Sequence, residues 1–265
     1  GSGNLEDTPK CVAIDAAGNV IVAGNSSIPV TGSLDFYTIK YSPAGAVLWG
    51  HAYGNTNATS DELISMALDS LGNVIVTGNS GNDYYTAKYA AADSALIWEQ
   101  RYANPANNID EPRSLVVDSV GNAIVTGRSY ASTTGFDYYT AKYAASDGVL
   151  MWEKRYSGVA TSQTDEASAI AVDAAGDVYV SGNSYSGTNQ DIYTAKYAAV
   201  DGSLIWEKRY NGPANNNDYG KALCLDTNGD VVVTGRSSNG SNDDYYTAKY
   251  AGSNGALLWE QRFNS

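Results

Sequence analysis

One tryptophan recurs at a nearly constant interval along the whole chain, and this repeat limits the possible fold more than any other feature. The copies are Trp49, Trp98, Trp152, Trp206 and Trp259, which lie 49 to 54 residues apart. Aligned on them, the 265 residues divide into units 1–53, 54–102, 103–156, 157–210 and 211–263. A repeat of about 50 residues means that the chain builds one small structural unit five times.

Four short β-strands are predicted in each unit. In unit four, SAIAVD and DVYVSG are almost continuous apolar runs, whereas IYTAKY and LIWEKRY alternate apolar with polar residues. Burial should therefore fall from the first strand to the fourth. An Asp-x-x-Gly-Asn/Asp turn joins the first two strands of every unit, where the aspartate can accept backbone N–H bonds and the glycine can adopt a positive φ. No segment has a helical period of useful length.

These patterns together predict an all-β fold, a β-propeller of five four-stranded blades that forms one domain over residues 1–265. A solenoid is less favoured because no atypical capping repeat is visible. Each blade is continuous in sequence, so a ring would have to close by face packing alone. A closed ring of five blades and five blades of a larger array both stay open.

Charge and composition exclude several classes of function. With 16 Lys and Arg against 29 Asp and Glu, the net charge is −13, which disfavours nucleic acid and anionic membranes as partners. A single histidine, His51, and the absence of a Gly-x-Ser-x-Gly motif disfavour a histidine metal site and a hydrolase triad. We expect no cofactor and a monomeric protein, and we expect the two cysteines, Cys11 and Cys224, to be free and buried.

The repeat resembles a known family. Segments such as VDSVGNAIVTGRS and DYYTAKYAASDGVLMWEKRY, with their equivalents in the other units, resemble the bacterial β-propeller repeat called SBBP across essentially the whole chain. The resemblance implies a propeller of a secreted or cell-surface bacterial protein, and it implies no established catalytic activity or ligand. The chain departs from the family in having five blades where the family name refers to seven. Unit one also has Trp49-Gly50-His51-Ala52-Tyr53 where the other units have Trp-Glu-Lys/Gln-Arg-Tyr/Phe.

Function is expected at one end of the propeller. The loops between second and third strands and the connections between blades vary in length and sequence, among them SSIPVTGSLD, SYASTTGFD and NGPANNND, and all of them emerge at the same end. A rigid scaffold with one variable loop end is typical of a non-enzymatic binding module, and the polar loop residues suit a protein or glycan ligand. The alternatives are a purely structural repeat scaffold, and a hydrolase or lyase that uses acidic residues at the channel mouth.

The candidate binding residues are five aspartates at equal offsets: Asp7, Asp61, Asp110, Asp165 and Asp218. Each lies eight residues before a turn aspartate and would contribute to a ring at the variable-loop mouth of the channel. Such a ring would attract a cation or a polyhydroxylated ligand, although no EF-hand type of loop is present. In the alternative interpretation, each carboxylate accepts backbone N–H bonds in the turn between blades, and recurrence in every blade favours this structural role.

Lysines on the third strand and glutamates on the fourth also recur, and they predict cross-strand ion pairs worth roughly 0.2–1 kcal/mol each. The residues are Lys40, Lys88, Lys142, Lys196 and Lys249 on third strands and Glu99, Glu153, Glu207 and Glu260 on fourth strands. A catalytic lysine is disfavoured because the feature is present in every unit, whereas a catalytic site is needed only once.

Overall fold

The computed structural model describes residues 6–27, 34–54, 60–104, 108–159 and 163–264. Within these ranges the regular structure consists of strands, and no helix is long and apolar enough to cross a membrane. The strands form five sheets in which the order along the chain is also the order in space. The fold is an all-β five-bladed β-propeller, which confirms the fold class that the repeat predicts.

The strands of the first three blades are as follows. Blade one contains β1 (Asp7–Ile14), β2 (Val20–Ser27), β3 (Leu34–Tyr41) and β4 (Val47–Tyr53). Blade two contains β5 (Asp61–Leu68), β6 (Val74–Ser80), β7 (Asp83–Tyr89) and β8 (Leu96–Tyr102). Blade three contains β9 (Asp110–Val117), β10 (Ala123–Ala131), β11 (Gly135–Tyr143) and β12 (Leu150–Tyr156), and the two-residue β13 (Gln163–Thr164) pairs in parallel with β11.

The last two blades have the same organisation. Blade four contains β14 (Glu166–Val172), β15 (Val178–Tyr185), β16 (Gln190–Tyr197) and β17 (Leu204–Tyr210). Blade five contains β18 (Asp218–Leu225), β19 (Val231–Ser238), β20 (Asp243–Tyr250) and β21 (Leu257–Phe263).

The chain divides into two compact units. Unit A comprises Gly1–Ala123 and Ala144–Val149, and unit B comprises Ile124–Tyr143 and Leu150–Ser265. Blades one and two lie in unit A, and blades four and five lie in unit B. Each unit is described by itself below, and a single domain over residues 1–265 stays a prediction.

The turn between the first two strands is formed as its sequence predicts. In blade one, Asp15 Oδ1 accepts hydrogen bonds of 2.9 Å from the backbone N–H groups of Ala17 and Asn19. Gly18 adopts a φ of +80°, which glycine reaches without the steric cost that other residues meet. Equivalent bonds are made in the other blades by Asp69, Asp118, Asp173 and Asp226.

Blades one and two show how one blade packs on the next. We call the face that a blade turns to the following blade its forward face and the opposite face its back face. The forward face of blade one contains Ile21, Ala23, Phe36 and Trp49, and the back face of blade two contains Leu63, Val74, Val76, Tyr85, Ala87 and Tyr89. These ten side chains are each 8% exposed or less, so the contact between blades forms the hydrophobic core.

The forward face of a blade is also held by two hydrogen bonds to a single carbonyl group. Trp49 Nε1 and Lys40 Nζ donate to the carbonyl oxygen of Ala91 in the turn between β7 and β8, at 3.1 and 2.9 Å. In unit B, Trp206 Nε1 and Lys196 Nζ donate in the same way to Gly252 O, at 3.0 and 3.2 Å. In blades one to four, the tryptophan that marks the repeat is therefore an anchor of the blade on the next one.

The predicted ion pairs between third-strand lysines and fourth-strand glutamates are wrong. In blade two, Lys88 lies opposite Trp98, one position away from Glu99, so the lysine and the glutamate project from opposite faces of the sheet. Lys88 Nζ instead lies 2.9 Å from Asp69 Oδ2 in the first turn, and Glu99 accepts a 2.7 Å hydrogen bond from the hydroxyl of Tyr85. The lysine and the glutamate thus make their contacts on opposite faces of the blade.

The prediction for the cysteines is half right. Cys11 and Cys224 are free, as expected. Cys11 is only partly buried, with its Sγ 3.7 Å from Ile64 O, and burial raises the pKa of its thiol. Cys224 is exposed, so the expectation of two buried thiols is wrong. Cys224 lies on the forward face of blade five, which is more exposed than the forward face of blade one.

Candidate functional site

The five predicted site aspartates lie at the variable-loop end of their blades. Asp7, Asp61, Asp110 and Asp218 are the first residues of their strands, and Asp165 directly precedes β14. Asp7 is exposed. The other four are completely buried, so four of the five carboxylates are removed from contact with solvent.

Three of the buried carboxylates accept backbone N–H groups. Asp218 Oδ2 accepts from Gly212 N at 2.6 Å, and its Oδ1 accepts from Ser238 N at 3.1 Å. Asp165 and Asp110 likewise accept backbone N–H bonds from the connections that precede their strands, at 2.7 and 2.8 Å. These bonds fasten the connection between blades, as the alternative interpretation of the ring describes. Ligand binding by the ring stays a prediction.

A second set of aspartates lies beside the first. Asp191, at the start of β16, has its pKa raised by burial and by the charge of Asp218, against the opposing effect of Arg209. Arg209 Nη1 lies 3.4 Å from Asp191 Oδ2. In unit A, burial is also the main cause that raises the pKa of Asp35 and Asp83, and a neighbouring ring aspartate adds to it. The variable-loop end therefore contains paired buried carboxylates.

This second set was not predicted from the sequence, although its signal is visible there. An aspartate stands just before or at the start of the Tyr-Thr-Ala-Lys-Tyr strand in every unit: Asp35, Asp83, Asp137, Asp191 and Asp244. Fourth-strand arginines pair with them, as in Arg155–Asp137 at 3.0 Å and Arg262–Asp244 at 3.1 Å. Because the arrangement recurs from blade to blade with an arginine partner, it has the character of a structural bridge between the third and fourth strands.

One cavity at the variable-loop end departs from the repeat. It has a volume of about 490 Å³ and lies in unit B, between the β15–β16 loop and the start of blade five. We call it the loop pocket. Its lining consists of Thr188, Asn189, Asn215, Asn216, Asn217, Tyr219, Arg236, Ser238 and Asp243. Every one of these nine side chains carries a hydrogen-bonding group.

The wall of the loop pocket is held in place by hydrogen bonds between its two loops. Asn189 Nδ2 donates to Asn216 O at 2.6 Å, and the backbone N–H of Gln190 donates to Asn217 Oδ1 at 3.0 Å. Asn215 adopts a φ of +52°, a conformation that asparagine tolerates better than most residues. The hydrogen bonds thus hold asparagines of both loops in fixed positions, an arrangement of the kind that lowers the entropic cost of binding.

The opposite wall of the loop pocket presents three different chemical groups. The guanidinium carbon of Arg236 lies 4.2 Å from the ring centroid of Tyr219. Arg236 Nη1 also lies 2.9 Å from Asp243 Oδ2, and the side chains of this pair are 51% and 42% exposed. An aromatic ring, a cation and a carboxylate are therefore available together with the amide groups of the loops.

Tyr219 is the clearest exception to the repeat at this site. The corresponding residues are Glu62, Glu111 and Glu166 in blades two to four and Thr8 in blade one. At this position an acidic residue of blades two to four is replaced by an aromatic one in blade five. The replacement is visible when the sequences of the five units are aligned.

Other predicted features contribute less. His51 is partly buried with its ring centroid 4.3 Å from that of Tyr89, and burial lowers the pKa of His51. Among the described residues, no group of three His, Cys, Asp or Glu side chains could hold a metal ion. Most of the SSIPVTGSLD loop and parts of the connections at 55–59, 105–107 and 160–162 lie outside the described residues.

Comparison with solved structures supports the fold. Sqt1 from Chaetomium thermophilum, solved bound to the N-terminus of the ribosomal protein L10, is 11% identical with a TM-score of 0.58, over 95% of this chain and 71% of that one. The Dos1 propeller is 9% identical with a TM-score of 0.55, over 99% and 75% of the two chains. Drosophila Semaphorin 1b, extracellular domains 1-2, is 11% identical with a TM-score of 0.54, and this chain spans 52% of its length while 92% of this chain is covered.

No protein-family model matches the sequence, and no curated protein matches it. The similar structures therefore show the propeller fold alone, because their identities are too low to carry a ligand or partner from one chain to the other.

Proposed function

We propose that this protein is a non-enzymatic binding module of a secreted or cell-surface bacterial protein of the SBBP type, and that its loop pocket binds a glycan. The observation that carries the proposal is the polar cavity of about 490 Å³, which breaks a repeat that is otherwise regular. A structural role recurs in every blade, whereas a binding site is needed once.

The chemistry of the loop pocket suits a neutral, polyhydroxylated ligand. Sugar hydroxyls both donate and accept hydrogen bonds, and asparagine amides offer both functions on one rigid plane. Arg236 and Asp243 add a donor and an acceptor whose charges compensate each other. The net charge of −13 disfavours an acidic glycan because the surface as a whole repels anions.

A peptide is the second candidate ligand, and one specific observation favours it. Sqt1, a similar propeller, is solved with the N-terminus of a ribosomal protein bound. A peptide also presents backbone groups that pair with asparagine side chains, so the same loop pocket would serve. The structural scaffold and the hydrolase or lyase with acidic residues remain as alternatives that the experiment must separate.

The proposal is tested by screening the purified protein on a glycan array and a peptide array. Tyr219→Ala removes the aromatic wall of the loop pocket, and Glu62→Ala changes the corresponding position of blade two, which does not line the pocket. We expect one class of neutral glycan to bind, with binding lost in Tyr219→Ala and kept in Glu62→Ala.

The other outcomes decide against parts of the proposal. Binding of peptides alone would replace the glycan by the second candidate. Binding of neither class would leave the scaffold as the better interpretation. Cleavage of a bound glycan on prolonged incubation, followed by mass spectrometry, would contradict the non-enzymatic role.

A further inference from the structure

The forward face of blade five is exposed although its sequence is that of a buried face. Trp259 is 42% exposed, whereas the equivalent Trp206 of blade four is 7% exposed. Tyr245 and Phe263, on the same face, are 71% and 63% exposed. This exposed face nevertheless keeps the aromatic and aliphatic side chains that pack against a following blade elsewhere in the chain.

The back face of blade one is exposed as well. Val12 and Ile14 are 70% and 67% exposed, and Tyr37 is 39% exposed. In blade two, the counterparts of Val12 and Tyr37 are Met66, which packs against the core, and Tyr85, which is 2% exposed. The back face of blade one therefore carries exposed apolar side chains. Exposed apolar patches of this kind mark interaction sites.

We propose that these two faces are the two halves of one interface, and that the forward face of blade five binds the back face of blade one of a second copy of this chain. The contact would reproduce the packing between consecutive blades. The occupant is identified by three features of the faces: the donors that blade five presents, paired departures from the repeat, and the charges at the rim.

Blade five presents the same pair of donors that anchors every earlier blade. In blade four, Trp206 Nε1 and Lys196 Nζ both donate to Gly252 O. Trp259 and Lys249 occupy these positions in blade five, where Lys249 is held by Asp226 at 2.6 Å. The residue of blade one that corresponds to Gly252 is Pro43, which lacks an N–H group but keeps the carbonyl oxygen that the anchor requires.

Two faces that touch inside this chain show paired departures from the repeat. At the contact between blades four and five, Tyr179 stands where blades one to three have isoleucine. Gly252 stands opposite, where blades two to four have alanine. The hydroxyl of Tyr179 donates to Gly252 O at 3.3 Å. A Cβ at Gly252 would clash first with the backbone of Gly229 in blade five itself, and it would also lie 3.0 Å from the Tyr179 hydroxyl. A change on one face is thus matched by a change on the other.

The two exposed faces show a matched pair of the same kind. Between blades four and five, the hydroxyl of Tyr210 accepts a 2.9 Å hydrogen bond from Arg262. Blade five has Phe263 in place of that tyrosine, and blade one has Ala52 in place of that arginine. The acceptor and the donor are both absent, so neither would be buried without a partner, which would otherwise cost stability.

A second matched pair lies at a groove on the forward face of blade five. The groove has a volume of about 350 Å³ and includes Thr234, Gly235, Arg236 and Tyr245 in its lining. At the equivalent place between blades one and two, Asn25 lies on the forward face of blade one and Leu63 on the back face of blade two. The N–H of Leu63 donates to Asn25 Oδ1 at 2.7 Å.

The residues that would meet at this groove are compatible. In blade five, Arg236 stands at the position of Asn25, and its guanidinium has no acceptor atom. In blade one, Pro9 stands at the position of Leu63 and has no N–H to donate. The rim charges also complement each other, since Lys221 and Arg236 are exposed on blade five while Glu6 and Asp7 are exposed on blade one. Lys10 and Glu62 form a rim pair of this type at 3.1 Å between blades one and two.

The interface is heterologous, because each copy carries both halves. Association of this kind continues from copy to copy until the assembly closes on itself or extends as a filament. The monomer expected from the sequence would then be the low-concentration state of an associating protein.

The test measures the molar mass of the purified chain by analytical ultracentrifugation over a wide range of concentrations. We expect the wild type to form dimers and larger species as concentration rises. Trp259→Glu on blade five and Val12→Asp on blade one should each weaken association by more than about thirtyfold, the effect of losing one strong anchor in an interface. Leu258→Glu is the control, because Leu258 neighbours Trp259 and its equivalents Leu48, Ile97, Met151 and Ile205 are exposed in every blade.

A mixture of the two variants gives the decisive result. Trp259→Glu keeps an intact blade one, and Val12→Asp keeps an intact blade five, so the mixture should form a 1:1 dimer that grows no further. Circular dichroism and thermal melting verify that each variant is folded.

Two results would overturn the proposal. One is a wild type that stays monomeric at all concentrations. The other is a mixture of variants that fails to form the 1:1 dimer although both variants are folded.

Discussion

Blades four and five have nearly the same forward face in sequence but not in environment. Blade four ends in LIWEKRY and blade five in LLWEQRF. Trp206 is 7% exposed and packs in a core with Val231, Val233 and Tyr246 of blade five. Trp259 is 42% exposed. The comparison shows that burial of the repeated tryptophan is decided by the blade that follows and not by the strand that carries it.

The largest expected effect comes from removing each tryptophan in turn. Trp206→Ala should lower the free energy of unfolding by about 3–5 kcal/mol, because it empties a large buried site. Trp259→Ala should lower it by less than about 1 kcal/mol, because an exposed side chain contributes little. Urea unfolding of dilute protein measures both changes, and equal losses would contradict the comparison.

The next effect concerns the turn that covers Trp206. Gly255 has a φ of +68°, and a Cβ there would lie 2.8 Å from the Trp206 indole. Gly255→Ala should therefore cost about 2–4 kcal/mol, from backbone strain and overpacking together. Gly45 has a φ of +85° with nothing within 4 Å of a Cβ, so Gly45→Ala should cost only the backbone strain of about 1–2 kcal/mol. Thermal unfolding of the two variants separates these contributions.

A smaller effect is expected from single hydroxyl groups. Tyr210→Phe removes the acceptor that Arg262 reaches at 2.9 Å and should cost about 1 kcal/mol. Phe263→Tyr adds the equivalent hydroxyl to the exposed face, where water satisfies it, and should change the stability of the monomer by less than about 0.5 kcal/mol. A Phe263→Tyr variant as strongly perturbed as Tyr210→Phe would show that the face of blade five is covered.

The smallest effect is a pH dependence that differs between the two ends of a blade. The pKa of Asp191 is raised by burial and by Asp218 of blade five, so its protonation stabilises the folded state. This stabilisation is complete below the ordinary value of 3.8 and is lost as the pH rises through the raised pKa. Asp226, in a turn, has its pKa lowered chiefly by Lys249, so its contribution is present above 3.8 and lost as the pH falls through the lowered pKa.

Urea midpoints measured from about pH 3 to pH 7 test this contrast. Asp191→Asn should reduce the loss of stability on the neutral side of pH 4, and Asp226→Asn should reduce the loss on the acid side. If Asp191→Asn left the neutral side unchanged, the pairing with Asp218 would have no energetic role.

The parts of the structure that depend on local sequence were predictable. The Asp-x-x-Gly turns form as expected because Asp15 and Gly18 satisfy their requirements within five residues. The pairing of Lys88 with Glu99 was predicted wrongly, because sequence spacing does not show that the register places them on opposite faces. The loop pocket escaped notice for a related reason, since its two walls lie more than twenty residues apart at Asn189 and Tyr219.

The sequence by itself determined the unit of construction: four strands, their turns and a tryptophan, repeated five times with the same local signals. Only the tertiary structure decided what each copy contacts, and therefore which copies of one pattern are core and which are surface. The physical reason is that hydrophobic burial depends on the surface a neighbour covers, and the apolar pattern of LLWEQRF in blade five is the same as that of the buried LIWEKRY in blade four.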